Sequence, residues 1–160
     1  MAIYDGPILD YPMEVIRGWP NDGALDLSET ISASATGASA LNCGNVVTRA
    51  SNGTVTLCVT GTANPQGIVV RGNGDTPSVT ASTVGTEPGV YGPQALVIWG
   101  NCIFRTTVYN TASTFAPGTQ VTGVNGVIDV WTAGSTVLGT VASVYPASGS
   151  NPASLLIIMN

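Results

Sequence analysis

The chain has 160 residues, a length suited to one domain that buries its own core, and only 8% of it is charged, against roughly a quarter in an average soluble domain. It contains no His, and its basic residues are Arg17, Arg49, Arg71 and Arg105, so Lys is missing too; imidazole bases and ligands, Schiff-base lysines and phosphate-loop lysines are excluded. A net charge of -5 leaves nothing to neutralise a run of phosphates, so nucleic acid is not expected as a direct partner.

Residues 1–40 read as an extended N-terminal arm and linker. The first thirty carry Asp5, Asp10, Glu14, Arg17, Asp22, Asp26 and Glu29, which together account for the whole net charge; the rest of the chain is neutral. Met1 to Tyr11 contain acids and a proline in place of a basic stretch followed by an apolar run, so no signal peptide and no export are expected. Pro7, Pro12 and Pro20 punctuate the segment, and neither a long helix nor a continuous strand is expected across them. Ile3, Tyr4, Ile8, Leu9, Tyr11, Met13, Val15, Ile16 and Trp19 nevertheless make it too apolar for a solvated tail. The segment is expected to dock on a partner and to become ordered only there, because ordering costs about 1–2 kcal/mol per residue of backbone. Ser28 to Ser39 are small and polar, a linker or a plain edge strand.

Residues 41–160 read as a β domain. Thr54 to Thr60 alternate, with Val55, Leu57 and Val59 on one face and the Thr residues with Cys58 on the other. Further strands are predicted at Gly67–Arg71, Ala95–Trp99, Cys102–Tyr109, Gln120–Val124, Val127–Trp131, Val137–Val144 and Leu155–Met159. The last has five apolar residues, far short of the roughly 20 needed to span a bilayer, so it reads as a terminal strand and no membrane partner is expected. Asn52-Gly53, Gly100-Asn101 and Asn125-Gly126 favour tight hairpins because Asn and Gly tolerate positive φ. The fold class is therefore all-β, a compact small barrel or sandwich. Val46-Val47-Thr48, Asn52-Gly53-Thr54-Val55 and Gly67-Ile68-Val69 are echoed by Gln120-Val121-Thr122, Asn125-Gly126-Val127-Ile128 and Gly139-Thr140-Val141, through duplication or through the recurrence of hairpins.

Candidate chemistry is sparse. Cys43, Cys58 and Cys102 are odd in number and share no C-x-x-C spacing, so structural free thiols of a cytosolic protein are expected. Gly72-Asn73-Gly74-Asp75 lacks the acidic companions of a calcium loop and the helix start and Lys of a phosphate cradle, and reads as a turn. Asp75, Glu87 and Asp129 are the only carboxylates of the body; a hydrolase would need two of them in one cleft, while solvated or turn positions are their ordinary use. Trp99, Trp131, Tyr91 and Tyr109 would serve either as core and interface packing or as a sugar-stacking strip. Arg105, alone in an apolar strand, would either pair with an acid at a subunit interface or snorkel to the surface. No catalytic residue, cofactor or metal is expected.

The succession Pro65-Gln66-Gly67-Ile68-Val69-Val70, Ala95 to Phe104, Pro117-Gly118-Thr119-Gln120-Val121 with Asn125-Gly126-Val127-Ile128, and Val137 to Ala142, closed by a short apolar strand, resembles tailed-phage capsid decoration proteins, similar in plan to the head-decoration protein of phage lambda. The resemblance covers residues 40–160. It implies a β-tulip domain that forms a homotrimer on the outer capsid surface of a virion assembled in the host cytoplasm. It also implies an arm reaching over the major capsid protein, with Ile3, Tyr4, Ile8, Leu9, Tyr11, Met13, Ile16 and Trp19 as its contact residues. A phage head-fibre or carbohydrate-binding module is the alternative. Low surface charge and edge strands without Lys also favour association of like copies.

Overall fold

A computed structural model describes residues 13–17, 25–30, 40–59, 65–72 and 94–160. These contain eleven strands and no helix: β1 Met13–Arg17, β2 Leu25–Thr30, β3 Val46–Arg49, β4 Val55–Leu57, β5 Gln66–Arg71, β6 Gln94–Trp99, β7 Ile103–Thr106, β8 Gln120–Val124, β9 Val127–Val130, β10 Gly139–Tyr145 and β11 Ser154–Met159. They form two antiparallel sheets, one of six strands in the order β1-β7-β11-β10-β8-β9 and one of five in the order β2-β6-β5-β3-β4. The sheets do not close into a barrel.

Strand alternation divides the core in two. Val46, Ile68 and Ile98 of the five-stranded sheet meet Phe104, Val121, Ile128, Val141, Leu155, Ile157 and Met159 of the six-stranded sheet, and this cluster fills the space between them. Their immediate neighbours Val47, Val69 and Val97 point the other way and form a second cluster with Leu41, Val55 and Ala95. The middle of the five-stranded sheet is thus buried on both faces. That is why β5 and β6 read as continuous apolar runs instead of alternating ones.

The internal echo corresponds to a shared topology. β3 and β4 form a hairpin and β5 pairs on the far side of β3; β8 and β9 form a hairpin and β10 pairs on the far side of β8. Only the second hairpin has the expected two-residue turn, with Asn125 at φ 49° and Gly126 at φ 79°. The first uses a longer loop in which Gly53 N donates to Ala50 O and Gly53 lies at φ 82°, a turn followed by a one-residue bulge. Gly100 and Asn101 both have positive φ, but they join β6 to β7, strands of different sheets; the expected hairpin is a corner.

The tip of the second hairpin ties the sheets together. Gly126 O accepts from Val46 N and Gly126 N donates to Cys58 O, while Cys58 N donates to Val46 O. This corrects the alternation expected for Thr54–Thr60: the strand stops at Leu57, Cys58 is drawn inward to full burial, and Val59, expected beside Val55, is 59% exposed. Thr60 lies outside the described residues.

Candidate functional site

The N-terminal segment supplies the outermost strand at one edge of each sheet. β6 and β7 run consecutively through the Gly100-Asn101 corner, and β1 and β2 follow that corner from outside. Met13, Glu14, Val15 and Arg17 stand opposite Thr106, Arg105, Phe104 and Ile103, with Ile16 left over as a bulge. Leu25 to Thr30 stand opposite Trp99 to Gln94 without a break. β1 and β2 thus line the outside of the two arms of a bent strand pair and are together called the strap, and no further strand pairs beyond β1 or β2 among the described residues.

Both stretches are short strands, and neither crosses Pro12 or Pro20. Pro12 and Pro20 flank β1 without entering it, so no ladder donor is lost within the strand. Of the expected contact residues, Met13 and Ile16 fall in β1; Ile3, Tyr4, Ile8, Leu9, Tyr11 and Trp19 lie outside the described residues. Ser28 to Thr30, expected as linker or edge strand, are edge strand; residues 31–39 lie outside the described residues.

Two arginines are held by aromatic rings, Arg105 on β7, the strand beside β1, and Arg49 on β3, three strands in from the β2 edge. Arg105 points to the outer face of the six-stranded sheet, where its Nε donates to Ser154 Oγ at 2.8 Å and its guanidinium lies 4.5 Å from the Tyr145 ring centroid. Tyr145 and Ser154 are themselves opposite one another on β10 and β11, so three adjacent strands fix this one side chain. Leu156 lies opposite Arg105, and Ile158, 46% exposed, lies opposite Ile103. The result is a cation within a modest apolar face, with Glu14 of β1 in register beside it. Arg49 places its guanidinium 5.0 Å from the Trp99 ring centroid, and the Trp99 indole N–H is buried with no hydrogen-bond partner among the described residues.

The remaining candidates are held in structural roles. Asp129 is a clamp: Oδ2 accepts from Asn110 Nδ2 at 2.8 Å, and Oδ1 accepts from Ser113 Oγ at 2.5 Å and from Val130 N at 2.7 Å. Partial burial pushes its carboxyl up, but the bonds from Ser113, Asn110 and Val130 together outweigh this and hold it below the usual carboxylate value. Asp75 and Glu87 lie outside the described residues, as do Asn73, Gly74 and Tyr91. Tyr109 meets Phe115 edge-on at 5.6 Å against the first core cluster, Trp99 packs on the second, and Trp131 Nε1 donates to Ser135 O at 2.8 Å.

Cys43, Cys58 and Cys102 are free and buried. Cys58 Sγ donates to Gly123 O at 3.4 Å, and Cys102 Sγ lies 3.6 Å from Met159 Sδ, where burial pushes its thiol up to about 11. Among the described residues no group of His, Cys, Asp and Glu could hold a metal ion, and no helix is long and apolar enough to cross a membrane.

Sequence reasoning missed Gln66, whose buried side chain joins the two sheets, and the Tyr145–Arg105–Ser154 arrangement. Gln66 carries no signal in the sequence beyond its place before an apolar run. Ser154 and Tyr145 become neighbours of Arg105 only through strand order. The chain matches no protein-family model and no curated protein.

Proposed function

We propose that this chain is a structural virion protein, a homotrimeric, β-tulip-like decoration protein that binds the outer surface of a phage capsid and stabilises the shell by bridging subunits of the major capsid protein. The observation that carries this reading is the strap: two stretches of the segment that holds the whole net charge and a dense set of apolar residues, β1 and β2, form one edge of each sheet. An open edge offers a partner strand a row of backbone donors and acceptors, and flanking apolar side chains give such pairing its specificity. A charge-poor body suits a molecule whose surface is covered by neighbours. Catalysis, cofactors and nucleic-acid contact have no part in this reading. Ile3, Tyr4, Ile8, Leu9 and Tyr11, preceding β1, would make the coat contact together with Met13, Ile16 and Trp19.

The test is decoration of purified expanded capsids by the full chain and by a chain lacking residues 1–12, which keeps β1 and β2. Imaging should show the full chain at regular outer positions, and the shortened chain, though folded, should attach orders of magnitude more weakly. Equal attachment would move the binding surface onto the β domain; no attachment of the full chain would remove the capsid reading altogether.

A further inference from the structure

The strap has the properties of an element that can be passed between molecules. It forms one outer edge of each sheet, so lifting it away separates no other strand pair among the described residues. It is joined to the body through residues 31–39, which can span at most about 30 Å, comparable with the width of a domain of this size. The groove it leaves is specific: the backbone edges of β6 and β7, bent at Gly100-Asn101, accept a strand pair in one register with a bulge at Ile16. An empty edge of this kind is costly, because its backbone groups lose their partners, and the strand that best replaces the strap is another copy of it.

We propose that the strap is exchanged between copies of this chain, the β1–β2 segment of one molecule seating on the β6–β7 corner of a neighbour in the register it holds within a single chain. Exchange makes the same contacts in trans as in cis, so its cost is mainly that of association. The linker gives the cis strap a high effective concentration, and exchange therefore grows as the copies become crowded. Each exchanged strap also carries its acidic residues from one body to the next, leaving every seated corner chemically as before. This inference goes beyond the capsid reading and stands without it.

The experiment uses purified full-length chains and no capsid. Glu14→Cys and Arg105→Cys are placed in separate chains, mixed, unfolded, refolded together over a range of concentrations and oxidised; Ser28→Cys and Leu96→Cys form a second mixture that leaves Arg105 intact. Both pairs are in register across the strap. Glu14→Cys mixed with Leu96→Cys is the off-register control.

Covalent dimers on a non-reducing gel are expected from both in-register mixtures, increasing with refolding concentration, and not from the control. The idea is overturned if neither in-register mixture yields dimers while chains carrying both cysteines of a pair cross-link within themselves, which makes the strap strictly intramolecular. It is equally overturned if the off-register control dimerises as well as the others, or if chains carrying both cysteines fail to cross-link at all.

Discussion

Gln66 on β5 and Thr122 on β8, in different sheets, are joined by a buried hydrogen bond from Gln66 Nε2 to Thr122 Oγ1 of 3.0 Å. The same Gln66 accepts from Gly123 N through Oε1 at 2.8 Å, so one amide satisfies a side chain and a backbone group of the opposite sheet. A polar link inside an apolar sandwich contributes little when complete and costs much when broken.

Replacing Gln66 by Leu should therefore destabilise the domain by about 2–4 kcal/mol, since both Thr122 and Gly123 N–H lose a buried partner. Urea unfolding checks this, with the midpoint lowered and the slope unchanged. Thr122→Val added to Gln66→Leu should recover part of the loss by removing one of the stranded groups; a Gln66→Leu effect below about 0.5 kcal/mol would show that the link is not buried in solution.

Close approach of the sheets gives a second expectation. A Cβ on Gly123 would overlap Val46 Cγ1 and lie 2.9 Å from Cys58 Cβ, both residues being fully buried. Gly123→Ala should cost about 1–3 kcal/mol through overpacking, and Val46→Ala, destabilising alone by its cavity, should cost less in the Gly123→Ala background. A double-mutant cycle measures that coupling, and strictly additive effects would contradict the contact.

The limits of the sequence follow from the same geometry. β5 to β11 are legible because apolar runs and turn residues delimit them locally. The corner at Gly100-Asn101 reads as a hairpin because positive φ serves a tight turn of either kind, and only the packing of Ile98 and Phe104 on opposite sides of one core decides that β6 and β7 part. β1 is hidden because Pro12 and Pro20 mask a five-residue strand whose partner lies some ninety residues away. Cys58 and Val59 exchange sides because a distant hairpin tip, at Gly126, captures the Cys58 backbone. As for the candidate site, the apolar and acidic character of the first thirty residues is legible, whereas their seat on β6 and β7 is a property of strand order.

Asp129 sets a pH dependence. Its folded carboxyl lies below the usual value, so near that range the unfolded chain binds the extra proton and stability rises with pH. The contribution is fully present above the unfolded value, near pH 4, and is lost as pH falls through the lower folded value. Asp129→Asn should lower the melting temperature at pH 7, and the gap to the parent chain should narrow as pH falls below about 4. A gap independent of pH would show that the charge on Asp129 is immaterial to its clamp on Asn110 and Ser113.

The three thiols should be silent in the folded protein. All are buried, and the Cys102 thiol, pushed up to about 11, is protonated throughout the neutral range. A chromogenic disulfide reagent at pH 8 should react with them only at the rate of unfolding, and three equivalents should appear in denaturant. Rapid reaction of any one in native buffer would mark it as accessible and open to a functional role.

Hydrogen exchange distinguishes the strap from the body. β11 lies inside the six-stranded sheet between β7 and β10 and buries Leu155, Ile157 and Met159; β5 lies inside the other between β6 and β3 and buries Ile68 and Val69. Their amides can open only when the sheets come apart. Those of β1 and β2 need only the edge ladders to β7 and β6 to separate, a local event that exposes far less surface. Exchange of Glu14 to Arg17 and Asp26 to Thr30 should therefore be faster than that of Leu155 to Met159 and nearly insensitive to low denaturant, while the central amides follow global unfolding. The ranking also bears on exchange between molecules, since a strap that opens well below the global unfolding energy can leave its own corner while the two core clusters remain folded. If β1 and β2 amides are protected as strongly as those of β11, the strap opens only with the whole domain, and passing it to a neighbour would require unfolding the donor.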